Sequence, residues 1–361
     1  MKIVKLSLLT LCLTIGLFSC KKDDDSDDVI TIEVRDRDEV QEEDILEIET
    51  YLANHYYNSS ELEAIGDPSS SDLEISALAN GETEAPEGHT ILWDLLSESN
   101  PILTKETKTY ANTTYEFYVL KLNAGGGEES PNFSDEVRVN YEGFLLDDDA
   151  TIFDSAVNPV VFDLTSLIPG WRKVLPLFNT AVSFEDGGDG TVDYMNHGAG
   201  VMFIPSGLAY FSNGSTGIST YTPIAFKFDL MNAYVTDHDG DGIPSYLEDL
   251  NGDGEFTIAD PDDDTVTHDD TDGDFTPNYF DADDDADGIA TINELEPKTY
   301  TVDTNNGGTE PVLVANREFE ISRTEEAGVI TINTVTIMDS NNDGVDDYLD
   351  GEITINYNSS N

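Results

Sequence analysis

From Thr236 onward the chain places acid at a spacing that limits how it can fold. Residues 236 to 296 are dominated by Asp and repeat a D-x-D/N-x-D-G grammar. Closely spaced carboxylates repel one another, so without a metal the segment should loosen. Calcium takes six to eight oxygen ligands. A 12-residue loop supplies them at positions 1, 3, 5, 7, 9 and 12, with Gly at position 6 for the turn. Asp237, Asp239, Asp241, Gly242 and Glu248 fill positions 1, 3, 5, 6 and 12. Asp283, Asp285, Asp287, Gly288 and Glu294 do the same. Asp249, Asn251, Asp253, Gly254 and Asp260 form a third loop with a shorter final acid. Asp339, Asn341, Asp343, Gly344 and Asp350 form a fourth. Asp270, Asp272, Asp274 and Asp281 form a fifth, with Phe275 in place of Gly. A merely solvated acidic spacer would not repeat Gly at position 6. Long helices do not flank these loops, which argues against paired helical EF-hands. The expected ion is structural Ca²⁺.

The formal charge of −59 comes from 75 acidic and 16 basic residues. Such a surface repels nucleic acid, whose binding depends on Lys and Arg meeting phosphate. It repels anionic lipid surfaces for the same reason. Hydrophobic residues at 38% and aromatics at 9% are ordinary, so the acidity is added to a globular chain.

The first residues read as a targeting segment. Lys2 and Lys5 precede the apolar run Leu6 to Phe18, and Leu17-Phe18-Ser19-Cys20 ends it. The run is too short to span a membrane comfortably. The ending resembles a bacterial lipobox, which implies a signal peptide over 1–19, cleavage before Cys20 and acylation of that residue. Several acyl chains give stable membrane anchoring where one is marginal. The alternative is a secreted protein with a free Cys20. Residues 20–34 read as an acidic tether, and Lys21-Lys22 followed by Asp23 to Asp25 resembles the tether of surface-exported lipoproteins in the Bacteroidota. The expected place is the envelope of a Gram-negative bacterium, lipid-anchored at the outer membrane. Cys12 leaves with the signal and Cys20 is acylated, so no thiol remains for redox chemistry.

Residues 35–56 show a helical pattern, with Val40, Ile45, Leu46, Ile48, Tyr51 and Leu52 along one side. Residues 57–108 read as a linker with short elements. In 109–123, Tyr115, Phe117 and Val119 alternate with Tyr118, Leu120 and Leu122, so both faces are apolar and the strand is buried on two sides. Strands are predicted at 135–146, 201–204 and 224–230, and 183–197 is a long acidic, Gly-rich stretch. Residues 298–361 read as a β-rich tail that closes with a strand at 352–357.

Five ordered blocks carry a resemblance. Val139, Tyr141 and Gly143 are followed by Phe153-Asp154-Ser155, then Leu167-Ile168-Pro169-Gly170-Trp171, then Ala209-Tyr210, then Phe226 and Phe228. This order resembles the FKBP-type peptidyl-prolyl isomerases over residues 109–232. The resemblance implies an α+β domain, an antiparallel half-barrel sheet around a short helix at 169–178, with 183–197 an insertion where relatives turn quickly, followed here by irregular calcium-loop repeats at 236–296 and the β-rich tail. Some relatives use a helix ahead of the domain as a dimerisation arm; this helix is expected to pack on its own domain. The acidic repeats resemble thrombospondin type-3 repeats, which implies a calcium-stiffened segment.

The resemblance also implies a site. Tyr141, Phe153, Trp171 and Phe226 would line a cleft floored by Trp171, with Asp154 as its buried carboxylate. The Ile168 amide would bond a substrate carbonyl, and Tyr210 would donate its hydroxyl. Val160, Leu167 and Ile218 would complete the walls and rim, Val160 standing where relatives usually have an aromatic. No cofactor is required for such catalysis, and the expected partners are X-Pro-containing protein clients. Departures from the family are also present. Ser155-Ala-Val-Asn158 lacks the usual arginine, and Phe211 replaces the usual Gly. These support a rival reading, a non-catalytic calcium-dependent surface binding or scaffold lipoprotein.

Overall fold

The computed structural model describes residues 34–97, 102–188, 190–258 and 268–359. The predicted leader, Cys20, nearly all of the tether and Asp260 lie outside them. Among the described residues no helix is long and apolar enough to cross a membrane.

The chain opens with helix α1 (Arg37–Asn54). Its N-cap is Asp36, whose carboxylate accepts the amides of Asp38 and Glu39. Val40, Ile48, Tyr51 and Leu52 are buried as the periodicity predicts, but Leu46 faces solvent at 64% exposure. The region read as a linker is folded. Strand β1 (His55–Tyr57), helix α2 (Ser59–Ala64), β2 (Ile75–Ala77) and β3 (Thr90–Ile91) make a three-stranded sheet, ordered β2-β1-β3, with its helix. A single 3₁₀ turn at Ser70–Asp72 and a six-residue 3₁₀ helix at Leu92–Ser97 complete the unit.

The main sheet begins at β4 (Leu103–Tyr110), ahead of the predicted boundary at 109. It turns at Ala111-Asn112, both at positive φ, into β5 (Thr113–Ala124). The segment read as one strand from 109 is therefore the end of a hairpin and its second arm. Strands β6 (Glu136–Leu145) and β7 (Ile152–Asp163) follow, then helix α3 (Pro169–Val174). The acidic insertion folds as its own hairpin, β8 (Ser183–Asp186) and β9 (Val192–Met195). Strands β10 (Gly198–Ile204) and β11 (Ile224–Tyr234) close the sheet, ordered β4-β5-β10-β11-β6-β7 and antiparallel throughout.

Both faces of this sheet are buried, which explains the two-faced pattern in β5. Tyr115, Phe117 and Val119 point into one core with Trp171, Phe178, Met202 and Phe228. Tyr118 and Leu120 point into a second core with Phe203, Tyr51 and Leu92. Helix α1 and the β1–β3 unit cover that second face. A buried polar bond fixes the helix. Asp44 accepts the Ser206 amide at 2.7 Å and its hydroxyl at 2.6 Å. Burial pushes Asp44 up to about 6, against the pull of those bonds. A carboxyl raised on folding stabilises below its unfolded value near 4, and that stability is lost as pH rises through about 6. Relative to Asp44→Asn, which cannot titrate, the wild-type chain should therefore lose about 2 kcal/mol between pH 4 and pH 7. Urea unfolding at each pH measures the gap, and a pH-independent gap would rule the effect out.

After β11 the acidic loops run to helix α4 (Thr291–Glu294). The tail forms a sheet ordered β12-β14-β13, from β12 (Glu296–Asp303), β13 (Glu318–Glu326) and β14 (Val329–Thr336). The predicted closing strand at 352–357 does not form. Tyr357 instead donates its amide to the Asn293 carbonyl and its hydroxyl to Asp347.

Candidate active site

The site is built where β6, β7, β11 and α3 converge. Register places Phe228 opposite Tyr141, and Gly143 between Phe226 on one side and Asp154 on the other. A Cβ on Gly143 would lie 2.5 Å from the Phe153 ring and 2.6 Å from the Phe226 ring, so hydrogen alone fits there. Tyr141, Trp171 and Phe226 then pack mutually. The Trp171–Phe226 centroids are 5.0 Å apart, and Tyr141 meets Trp171 edge-on at 5.9 Å. Phe153 meets Phe226 edge-on at 5.4 Å.

These rings border a cavity of about 290 Å³ lined by Tyr141, Asp154, Phe162, Ser166, Leu167, Ile168, Trp171, Tyr210 and Phe226. Seven of the sequence-derived site residues thus share one cavity. Phe153 stands behind Phe226. Val160 and Ile218 belong to the surrounding core and do not line the cavity. Phe162, two residues along the same strand face from Val160, supplies an aromatic wall at 5.5 Å from Tyr141. The period-two alternation of β7 carried that signal, and the sequence reading missed it.

Asp154 requires a correction. It is exposed rather than buried, because β7 is an edge strand of the sheet. It still accepts the Tyr141 hydroxyl at 2.8 Å and the Ser155 amide at 2.9 Å. Burial, then the Asp154 carboxylate, pushes the Tyr141 hydroxyl up to about 12. Burial and Asp154 also raise Tyr210. Both phenols therefore stay neutral donors. Ile168 is the N-cap of α3, ahead of Pro169 at the first helical position. Its amide has no hydrogen-bond partner among the described residues.

The flap over the site is tied down from α1. Phe211 and Tyr221 both hold positive φ, at 44° and 56°, and meet edge-on at 5.1 Å. Arg37 stacks over Phe211 at 4.2 Å while donating to the Tyr115 hydroxyl at 2.9 Å. The Arg35 amide donates to the Tyr221 hydroxyl at 3.1 Å.

The family model for FKBP-type peptidyl-prolyl cis-trans isomerase matches residues 127–231. Residues 127–231 are thus similar to that family. Among curated relatives, the peptidyl-prolyl cis-trans isomerase Mip of Coxiella burnetii is 33% identical over 35% of this chain and 46% of its own. A probable FKBP-type isomerase FkpA of Neisseria meningitidis is 27% identical over 47% of this chain and 57% of its own. The chain spans about half the length of the curated relatives it matches. A solved isomerase of Pseudomonas syringae pv. tomato is 25% identical, covers 37% of this chain and 83% of that one, and has a TM-score of 0.28. A second family model, described as BamM C-terminal, matches residues 238–313.

Beyond the FKBP-type domain, the acidic loops adopt one geometry. Position 6 holds positive φ in every loop: Gly242, Gly254, Gly288, Gly344 and also Phe275, at 74°. The first acid turns onto backbone amides. Asp237 accepts those of Gly240 and Gly242, and Asp249 and Asp270 repeat the pattern. Carboxylate oxygens converge in three groups: Asp239, Asp241, Glu248 and Asp284; Asp270, Asp272 and Asp274; Asp283, Asp285 and Asp287. Asp281 joins none of them. Asp284 was not foreseen, since it occupies position 2 of its own loop. Burial and then mutual repulsion push Asp241 up to about 8 and Glu294 to about 9. In the fourth loop, Asn341 donates to Asp343 and Asp350 and closes the turn itself.

The third loop, 249–260, is docked on α3. Glu255 pairs with Arg172 at 2.5 Å and Lys173 at 2.6 Å. Lys173 also donates to the carbonyls of Asp253 and Gly254. Beside them Phe256 stacks on Tyr279 at 3.8 Å and meets Phe133 at 5.1 Å.

Proposed function

We propose that the chain is an FKBP-type peptidyl-prolyl cis-trans isomerase of the bacterial envelope, acting on X-Pro-containing clients. The observation that carries this is an aromatic cavity lined by Tyr141, Phe162, Trp171, Tyr210 and Phe226, all within the matched segment. Rotation about an X-Pro bond is opposed by amide resonance, with a barrier of roughly 18–20 kcal/mol. The twisted amide has less charge separation than the planar one. An apolar cleft therefore binds it better than water does, which lowers the barrier without nucleophile, metal or cofactor. Trp171, Phe226 and Tyr141 supply the apolar surface. The Tyr210 hydroxyl and the Ile168 amide are donors for the carbonyls that flank the bond.

A protease-coupled assay on prolyl peptides tests this. Phe226→Ala removes a wall and should cut kcat/KM on the order of tenfold, about 1.4 kcal/mol of lost transition-state stabilisation. Asp154→Ala releases the Tyr141 hydroxyl and should cost several-fold. A wild-type chain inactive on every X-Pro peptide would transfer the domain to the rival reading, a non-catalytic scaffold. The Phe211 flap, clamped by Arg37, is what favours that rival.

The acidic loops are read as structural calcium sites, because the carboxylates of three groups converge and none of those carboxylates pairs with Lys or Arg among the described residues. Lipidation at Cys20 and an outer-membrane location follow from the leader. Cys20→Ser should move the protein from the membrane to the soluble fraction.

A further inference from the structure

We propose that Asp284 completes a divalent-cation site that belongs to two loops at once, the first (237–248) and the one that begins at Asp283. The proposal rests on reading the repeats as calcium-binding, and it specifies one shared ion.

One oxygen from each of Asp239, Asp241, Glu248 and Asp284 lies within 4.8 Å of the others. Three of these side chains are sealed from solvent: Glu248 is 0%, Asp284 1% and Asp241 2% exposed. Both oxygens of Glu248, both of Asp284 and one each of Asp239 and Asp241 have no hydrogen-bond partner among the described residues. Buried polar atoms are nearly always partnered, and like charges at this range repel. No Lys or Arg forms an ion pair with the four among the described residues. A cation at their centre answers both the missing partners and the repulsion.

The donors choose its class. All are hard oxygens, with no His or Cys among the four, and six oxygens are unpartnered, which suits calcium's six to eight ligands. Asp237 already accepts the Gly240 and Gly242 amides, one on each of its oxygens. Asp284 is thus an anionic ligand delivered from outside the loop. It is held there by its own backbone, whose amide donates to the Thr291 hydroxyl at the start of α4. Beside it, Ile243 of the first loop shares a small core with Leu295, Val335, Ile337 and Tyr348. The ion therefore fastens the end of the isomerase sheet, just past β11, to the loop that leads into the tail.

The test titrates calcium chloride into the full chain, wild type and Asp284→Asn, by calorimetry, with thermal unfolding in calcium and in chelator. The variant should bind one fewer calcium ion per chain and gain less from calcium in its thermal midpoint. In chelator it should be at least as stable as wild type, because one repelling charge is gone. Asp284→Asn that binds the wild-type number of ions overturns the shared site. So does a variant destabilised equally with and without calcium, since that marks an ordinary packing role. Glu248→Gln should give the same sign reversal and decides the matter if Asp284→Asn does not fold. A wild-type chain that binds no calcium overturns the repeat reading itself.

Discussion

Chelation of divalent cations should lower the thermal midpoint of this chain by on the order of 10 °C. An ion that binds only the folded state stabilises it by about 2.7 kcal/mol at a free concentration one hundred times its Kd. Two such sites contribute about 5 kcal/mol, and each kcal/mol moves the midpoint of a chain this long by roughly 2–4 °C. The acids concerned include some of the most buried polar groups in the molecule: Glu248 and Glu294 are both 0% exposed. Magnesium should restore little of the loss, because it demands near-octahedral geometry and sheds water reluctantly. Calorimetry in calcium, magnesium and chelator measures this. A midpoint indifferent to chelator would remove the structural role for the ions.

Glu255→Ala should be the most damaging single substitution on the surface between the repeats and the FKBP-like domain. It strips the partner from Lys173, whose side chain is only 5% exposed, and from Arg172 at 12%. Removing one member of a buried ion pair leaves an uncompensated charge, at a cost of roughly 3–5 kcal/mol. Glu255→Gln keeps an acceptor and should lose less. Equilibrium denaturation of both variants gives the comparison, and a change below about 1 kcal/mol for Glu255→Ala would show an ordinary surface pair. Trp171 immediately precedes Arg172, so the same variant should also lower isomerase activity if loosening of α3 reaches the cleft floor.

Much of the sheet was legible because its signals are local. The doubled alternation of Tyr115 to Leu122 announced a strand buried on two faces, and two cores are what β5 separates. The turn glycines of the acidic loops were legible for the same reason. Phe275 shows that the backbone geometry persists where the residue type does not. What stayed hidden depends on distance in the chain. Nothing near Asp284 says that it faces Glu248, and nothing near Lys173 says that it faces Glu255. Asp154 was read as buried because its position matched a motif. Its exposure follows from β7 being last in the sheet order, which no local pattern encodes. The folded 55–97 unit escaped notice because its strands have two or three residues each, too short for periodicity to register.

The arginine clamp on the flap bears on how such a domain can be inherited. The recognisable family segment starts at residue 127, yet β4, β5 and α1 all lie upstream of it. A gene fragment cut at that point would encode a sheet short of two strands and a flap stripped of Arg35 and Arg37. The cleft, the sheet behind it and the clamp on its flap together span residues 35–234 of this chain. The structural unit is larger than the segment the family model matches.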